Sequence, residues 1–261
     1  GFLPKTWLDV KVLFFPKHGK PLCEPRSWRP ISLMQYEMKG LEKLLIRENS
    51  ENVVRDPNQK TPFGPQRPMT HLNQHGFRKQ RSCVSSLTSK AGRIEKALVD
   101  HAFALAVYLD IKGAFDHVTN ECIEGACKVK GCKEALIEWF SDFFNNRCVN
   151  FEFKGKTYKR YCAKGTPQGS TASPLLWNLI ADELHESLDG YVDIATEGFA
   201  DDTALVATGN NLMHVRGRMQ KALKIAEKWQ NKHDLHFAPG KTKVMLFTRR
   251  QPGKYLYLIH I

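Results

Sequence analysis

In Glu197-Gly198-Phe199-Ala200-Asp201-Asp202-Thr203-Ala204-Leu205-Val206, apolar residues flank two adjacent aspartates. The pattern is that of a hairpin with both carboxylates at its tip. By itself an Asp-Asp turn is far more often a solvated loop than a site. Upstream stands Val107-Tyr108-Leu109-Asp110-Ile111-Lys112-Gly113-Ala114-Phe115-Asp116, in which an acid ends the continuous apolar run Phe103 to Leu109. Such a run reads as a buried central strand. A carboxylate at its end is costly to desolvate unless it is paired, binds a metal or caps the next helix. If the two strands are neighbours, Asp110 and Asp201 meet at one edge despite their distance in sequence. Oxygen ligands of that kind suit Mg²⁺, which draws its other ligands from water and substrate phosphates. Two such ions stabilise the attacking and leaving oxygens of an in-line phosphoryl transfer.

A third stretch joins these two, Gly165-Thr166-Pro167-Gln168-Gly169-Ser170-Thr171-Ala172-Ser173-Pro174-Leu175-Leu176. Gly165 and Gly169 permit close backbone approach. Ser173-Pro174 is a helix start, with Ser as N-cap and Pro at the first helical position. Leu176, Ile180, Leu184 and Leu188 follow at helical spacing and supply a buried face. Gln168 lies in the loop before that helix, free to meet a base pair or a sugar. A plain helix-entry turn accounts for Ser173-Pro174 but not for Pro167-Gln168-Gly169.

The rest of the chain supplies a mixed scaffold. Helical periodicity is expected over Tyr36 to Glu48, with Leu41, Leu44 and Leu45 on one face, and over Ser82 to Val99. Two helices broken near Gly131 are expected between Asn120 and Asn146. A further helix runs from Asn211 to His233, striped by Leu212, Val215, Met219, Leu223 and Ala226. Its opposite side carries Arg216, Arg218, Lys221, Lys224 and Lys228, a solvated face or, less commonly, a nucleic-acid-facing one. Val149, Phe151 and Phe153 alternate with polar residues before Gly155 turns the chain into Thr157 to Tyr161, a hairpin. Asp56 to Pro68 is the most loop-like stretch. Helices and strands without regular alternation indicate an α+β fold.

Composition narrows the partners. The chain has 261 residues, 42% hydrophobic and 25% charged, as in globular proteins. Its 39 Lys and Arg exceed its 27 Asp and Glu, a net charge of +12 that favours a polyanionic partner. No apolar run is long enough to span a bilayer, so no membrane is expected. The seven cysteines are odd in number, and Cys122, Cys127 and Cys132 recur at a spacing that matches no zinc finger. A reducing, intracellular compartment is expected, with these thiols as small core or surface residues. The start at Gly1 reads as that of a fragment or processed product.

Together the three stretches resemble the reverse transcriptase signature. Asp110 with Phe115 resembles its first catalytic motif, Pro167-Gln168-Gly169 to Ser173-Pro174 its second, and Phe199-Ala200-Asp201-Asp202 its aromatic-Ala-Asp-Asp box. Phe15-Pro16-Lys17-His18-Gly19-Lys20 and Trp28-Arg29-Pro30-Ile31-Ser32-Leu33 resemble the fingers segment of non-LTR (LINE-type) retrotransposon enzymes. Gln74-His75-Gly76-Phe77-Arg78 with Arg81-Ser82 resembles the next block, and Ala238-Pro239-Gly240-Lys241-Thr242-Lys243 the lysine-bearing motif. The blocks arrive in family order over nearly the whole chain. Ala238-Pro239 departs from the Asn common there, and Phe199 replaces the commoner Tyr.

The resemblance implies a right-hand polymerase, with an antiparallel palm sheet backed by helices and a fingers subdomain. Fingers would occupy 1–99 and palm 100–261, with 121–162 partly returning to the fingers. The chain would stop before the primer grip and thumb, as part of a longer polyprotein with an endonuclease. The implied activity is RNA-directed DNA polymerisation, adding dNTPs to a primer 3′-hydroxyl on an RNA template, in the cytoplasm and nucleus. Asp110 and Asp201 would hold two Mg²⁺ ions, with Mn²⁺ as a substitute and Asp202 assisting. Phe115 would lie under the sugar of the incoming nucleotide and exclude a 2′-hydroxyl, although a plain core role is its rival. Arg29 would contact the triphosphate, because its fork matches phosphate oxygens. Lys17 and Lys20 are weaker candidates that surface roles would equally explain. Gln168 would shape the nucleotide pocket. Lys241 would sit near the triphosphate and protonate the departing pyrophosphate, a surface lysine being the alternative. Arg78 and Arg81 would bind the template backbone. Two other readings remain: a catalytically silent nucleic-acid-binding fragment, and another palm enzyme such as an RNA-dependent RNA polymerase or nucleotide cyclase.

Overall fold

The computed structural model describes residues 3–53, 60–61, 64–65, 70–162 and 164–250. In chain order the elements are α1 (Lys5–Leu8), β1 (Asp9–Pro16), β2 (Trp28–Leu33), α2 (Tyr36–Val53), β3 (Lys60–Thr61), β4 (Gly64–Pro65), α3 (Cys83–Val99) and β5 (Phe103–Leu109). Then come α4 (Ala114–His117), α5 (Asn120–Val129), α6 (Glu134–Asn146), β6 (Cys148–Phe153), β7 (Lys156–Tyr161) and α7 (Ser173–Leu188). The last described elements are β8 (Ile194–Phe199), β9 (Asp202–Gly209), α8 (Leu212–Lys232) and β10 (Lys243–Phe247). They form two compact units, residues 1–69 with 115–176 and residues 70–114 with 177–261. The α+β expectation holds.

The first unit contains a sheet in the order β2-β1-β6-β7, with β1 and β6 parallel and the other pairs antiparallel. The β6–β7 hairpin turns at Lys154 and Gly155, both with positive φ (50° and 72°). That is the signature of a type I′ turn, and it explains why Gly155 marks the bend. In the same unit, α6 buries Leu136, Ile137, Phe140, Phe143 and Phe144 and packs on α5. The break between the two helices falls at Gly131, in the left-handed region at φ 69°. In α2 the inward face centres on buried Met38 and Glu42, with Leu41 and Leu45 half-buried beside them, while Leu44 at its margin is 54% exposed. Burial of Glu42 follows from its hydrogen bonds, described below. Short β3 and β4 pair within the loop-like stretch, the rest of which lies outside the described residues.

The second unit is built on a fully antiparallel sheet in the order β10-β5-β9-β8. Six of the seven β5 residues are buried, which is why the strand reads as an unbroken apolar run. Helices α3 and α8 pack on this sheet. Helix α3 begins at Ser82, whose hydroxyl accepts from Ser85 N–H while the Ser85 side chain returns the bond, a capping box. Asn211 caps α8 through Met213 and His214 N–H. The buried stripe of α8 is Leu212, Val215, Met219, Ala222, Ala226 and Trp229, with Leu223 only half-buried. Among the described residues no helix is long and apolar enough to cross a membrane. All seven cysteines are free thiols.

Candidate active site

The register of β5 and β9 sets Leu109 opposite Thr203, so the next residue on each strand places Asp110 beside Asp202 at the sheet end. Phe199 and Asp202 close the β8–β9 hairpin, leaving Ala200 and Asp201 as its two-residue loop. Segment 236–238 runs along the exit of β5: Ala238 N–H donates to Asp110 O at 2.8 Å, and Lys112 N–H to His236 O at 2.9 Å. The turn that follows, in which Lys241 N–H donates to Ala238 O at 2.9 Å, swings Lys241 back over the carboxylate. Its ammonium donates to both Asp110 oxygens at 3.0 Å. Four of the expected residues, Asp110, Asp201, Asp202 and Lys241, thus meet in the second unit.

Burial raises the Asp201 carboxyl above the ordinary aspartate value. A backbone hydrogen bond offsets part of the rise, the Asp202 and Asp110 carboxylates add to it, and the Lys241 ammonium opposes it. The Asp110 and Asp202 carboxylates are near enough to act on Asp201 against one ammonium, an excess of negative charge suited to cations. Among the described residues, no three His, Cys, Asp or Glu side chains are grouped so as to enclose an ion by themselves. The donor chemistry suits a hard divalent cation that keeps water and phosphate ligands, to which the Asp110, Asp201 and Asp202 oxygens could contribute.

The loop before α3 buttresses the hairpin. His75 N–H donates to Gly198 O and Gly198 N–H to Asn73 O, each at 2.8 Å, so the loop pairs with the edge of β8. A Cβ on Gly198 would crowd two buried side chains, lying 2.8 Å from His185 Nε2 and 2.9 Å from Gln74 Nε2. Buried Glu197, one residue earlier, faces His75 Nε2 at 3.0 Å and accepts from the Ser89 hydroxyl. Arg78 is half-buried, and its guanidinium donates to the His71 and Gln74 carbonyls of this loop. Burial lowers its pKa. Its visible work is therefore to close the loop. Arg81 is exposed.

The first unit gathers the other candidates. Thr166 N–H donates to Phe115 O and Ser32 N–H to Gln168 O, each at 2.7 Å. The segments carrying Phe115, Gln168 and Arg29 are thereby tied together, since Ser32 shares β2 with Arg29. Phe115 and Gln168 are half-buried and Arg29 is exposed. Gly169 lies at φ 125°, and a Cβ on it would come within 2.3 Å of Ser32 O. Lys17 donates through Nζ to Arg26 O at 2.9 Å, which makes it a staple of the β1–β2 turn, and Lys20 is exposed.

The start of α7 differs from expectation. The Ser173 hydroxyl donates to Pro167 O at 2.9 Å, and it is Ser170 Oγ that accepts from Ala172 and Ser173 N–H at 3.1 and 3.3 Å. Glu42 completes this structure from α2. Its carboxylate accepts from Ser170 Oγ at 2.6 Å, Thr171 N–H at 2.8 Å and Thr171 Oγ1 at 2.6 Å. Three donors offset the burial of its charge. An acid within an amphipathic helix carries no local signal for such a role.

Among solved structures, the chain is similar to apo telomerase from Candida tropicalis, truncated from its C-terminal domain. The TM-score is 0.66 at 10% identity, covering 94% of this chain and 51% of that one. Telomerase from the same organism in complex with a fragment of telomeric RNA gives 0.65 at 12% identity, covering 94% and 42%. The fold is that of a right-hand polymerase. Residues 15–260 match the family described as reverse transcriptase (RNA-dependent DNA polymerase), a family of nucleotidyltransferases, and the chain belongs to it.

Its relatives lie on the non-LTR retrotransposon side of that family. A putative 115 kDa protein in the type-1 retrotransposable element R1DM of Drosophila melanogaster is 30% identical, over 97% of this chain and 23% of that protein. A probable RNA-directed DNA polymerase from transposon BS of the same fly is 28% identical, over 95% and 26%. A polyprotein of the R2 element of Nasonia vitripennis is 25% identical, over 92% and 22%. The chain spans about a quarter of the length of these curated relatives.

Proposed function

We propose that this chain is the fingers and palm of an RNA-directed DNA polymerase that copies retrotransposon RNA by adding dNTPs to a primer 3′-hydroxyl. The observation that carries the reading is the meeting of Asp110 with the Asp201-Asp202 tip at one sheet end, under the Lys241 ammonium. In the role assignment, fingers fall in 1–99 and palm in 100–261, with 121–162 partly returning to the fingers. Asp110 and Asp201, assisted by Asp202, would hold two divalent ions, Mg²⁺ or Mn²⁺, which supply charge stabilisation at the attacking and leaving oxygens.

The chain's own groups do the remainder. Lys241 holds a proton on Nζ and can deliver it to the departing pyrophosphate. It must first release Asp110, an exchange that its 69% exposure leaves unhindered. Phe115 presents a ring to the 2′ position of the incoming sugar, and Gln168 lines the nucleotide pocket. Arg29 takes the triphosphate, with Lys17 and Lys20 in support. Arg81 contacts the template backbone, and Arg78 chiefly holds the loop that presents it. The +12 net charge suits an RNA template and DNA primer. The remaining polyprotein, with endonuclease and thumb, would act with it in the cytoplasm and nucleus.

The test is primer extension on primed RNA with Mg²⁺ and dNTPs, comparing wild type with Asp201→Asn. Extension that the substitution abolishes is expected. Duplex binding without extension in either protein would replace the reading by a silent nucleic-acid-binding fragment. Incorporation of NTPs in preference to dNTPs would replace it by an RNA polymerase.

A further inference from the structure

The two-residue loop that carries Asp201 is held in an unfavourable conformation. Ala200 has φ 57°, while Asp201 is not among the residues with positive φ. Positive φ at the first loop position alone is the pattern of a type II′ turn, which ordinarily takes Gly there. An L-residue stays in this region only when its surroundings over-determine it. Two buried donors converge on the Ala200 carbonyl: Trp177 Nε1–H at 2.8 Å and Gln74 Nε2–H at 3.3 Å. Trp177 is 1% exposed and Gln74 0%. The other end of the Gln74 amide accepts from Gly76 N–H at 3.0 Å, so its side chain cannot turn without losing both bonds. Asn178, the residue after Trp177 on α7, donates to Gly76 O at 3.0 Å and ties the loop to the same helix.

We propose that Trp177 and Gln74 form a clamp on the Ala200 carbonyl that aims Asp201. The Ala200 carbonyl and the Asp201 nitrogen belong to one planar peptide unit. Fixing that oxygen fixes the plane leading into the Asp201 Cα, the frame from which its carboxylate projects. Trp177 and Gln74 are positioning residues that act through Asp201. The clamp rests on the polymerase reading of the site and extends it to residues outside the carboxylate set.

The test compares wild type, Trp177→Phe, Ala200→Gly and their double variant in the full chain. Phe keeps most of the ring and loses the donor, while Gly takes positive φ without strain. Trp177→Phe is expected to lower kcat for single-nucleotide addition by about tenfold or more, with KM for dNTP within about twofold. Mn²⁺ affinity, read by electron paramagnetic resonance, should weaken in parallel. Adding Ala200→Gly should restore most of both losses without restoring the urea unfolding midpoint. A Trp that merely fills space would show no such rescue. A double variant no better than Trp177→Phe, or a Trp177→Phe protein with wild-type kcat, overturns the clamp. If Trp177→Phe does not fold, Gln74→Met carries the same comparison, because it keeps length and loses the donor. Failure of the polymerase reading looks different: wild type binds primed RNA and extends nothing. The clamp is then decided by Mn²⁺ affinity across the variants and by exchange of the Trp177 indole N–H. Slow exchange that quickens in Gln74→Met supports it, and fast exchange in wild type overturns it.

Discussion

Replacing Gly76 by Ala should silence the site while leaving the protein folded. A Cβ at position 76 would lie 2.2 Å from Ala200 N and 2.9 Å from Ala200 Cα. Both are backbone atoms of the aspartate hairpin, so no side chain can swing aside. Relief to ordinary contact requires the hairpin and the loop to part by more than about 1 Å. Overpacking of this kind costs about 1–3 kcal/mol. Against a stability of roughly 5–15 kcal/mol, even the upper figure leaves more than about nine molecules in ten folded. A 1 Å misplacement of a catalytic group, in contrast, costs about 10²-fold in rate. The two effects separate in one experiment: urea unfolding followed by circular dichroism, beside single-nucleotide primer extension. Gly76→Ala should keep a cooperative unfolding transition and lose about two orders of magnitude in kcat. Gly92→Ala is the control. Gly92 lies in α3 with nothing within 4 Å of the added Cβ, so it should retain wild-type rate and gain up to about 1 kcal/mol of stability. A Gly76→Ala protein within about threefold of wild-type kcat would refute the close-approach argument.

Gly169→Ala places a side chain at φ 125° against Ser32 O, and should cost about 2–5 kcal/mol and raise KM for dNTP; an unchanged urea midpoint would count against it. Lys241→Met removes an exposed ion pair, so stability should shift by no more than about 1 kcal/mol while the rate of nucleotide addition falls at least about tenfold. Wild-type rates in that variant would reduce Lys241 to a surface partner of Asp110. His185 is fully buried, its Nδ1 facing the Thr196 hydroxyl at 2.8 Å, and burial pushes its pKa down to about 3, with His71 and His75 adding to the effect. The unfolded chain takes this proton near pH 6.5, so the stability is complete above that pH and is lost as pH falls toward 3, by up to about 1.4 kcal/mol per unit. Urea midpoints between pH 6.5 and 4.5 should fall less steeply in His185→Gln, and equal slopes would remove the assignment. Affinity for primed RNA should drop steeply between about 50 and 200 mM salt, and a flat response would argue against phosphate contacts.

What could be read from the amino-acid order was local. Strand β5 announces itself because all but one of its side chains are buried, and Ser82, Asn211, Gly131 and Gly155 mark boundaries through bonds or angles within a few residues. The pairing of Asp110 with the Asp201-Asp202 tip needed only that two apolar strands be neighbours. Glu42 shows where such reading stops. Its spacing in α2 looks solvated, and its burial is decided by Ser170 and Thr171, far along the chain. Ser173 likewise carries the ordinary helix-start signal, yet Ser170 does the capping because Ser173 is drawn to Pro167. Arg78 reads as a free cation until the His71 and Gln74 carbonyls fold around it. Ala200 is the sharpest instance. Local preference assigns its loop position to Gly, and Ala is tolerated because Trp177 and Gln74 reach the same carbonyl from separate segments. Conflict between local preference and tertiary structure is expected where function sets the backbone, and here it falls on the residue preceding Asp201.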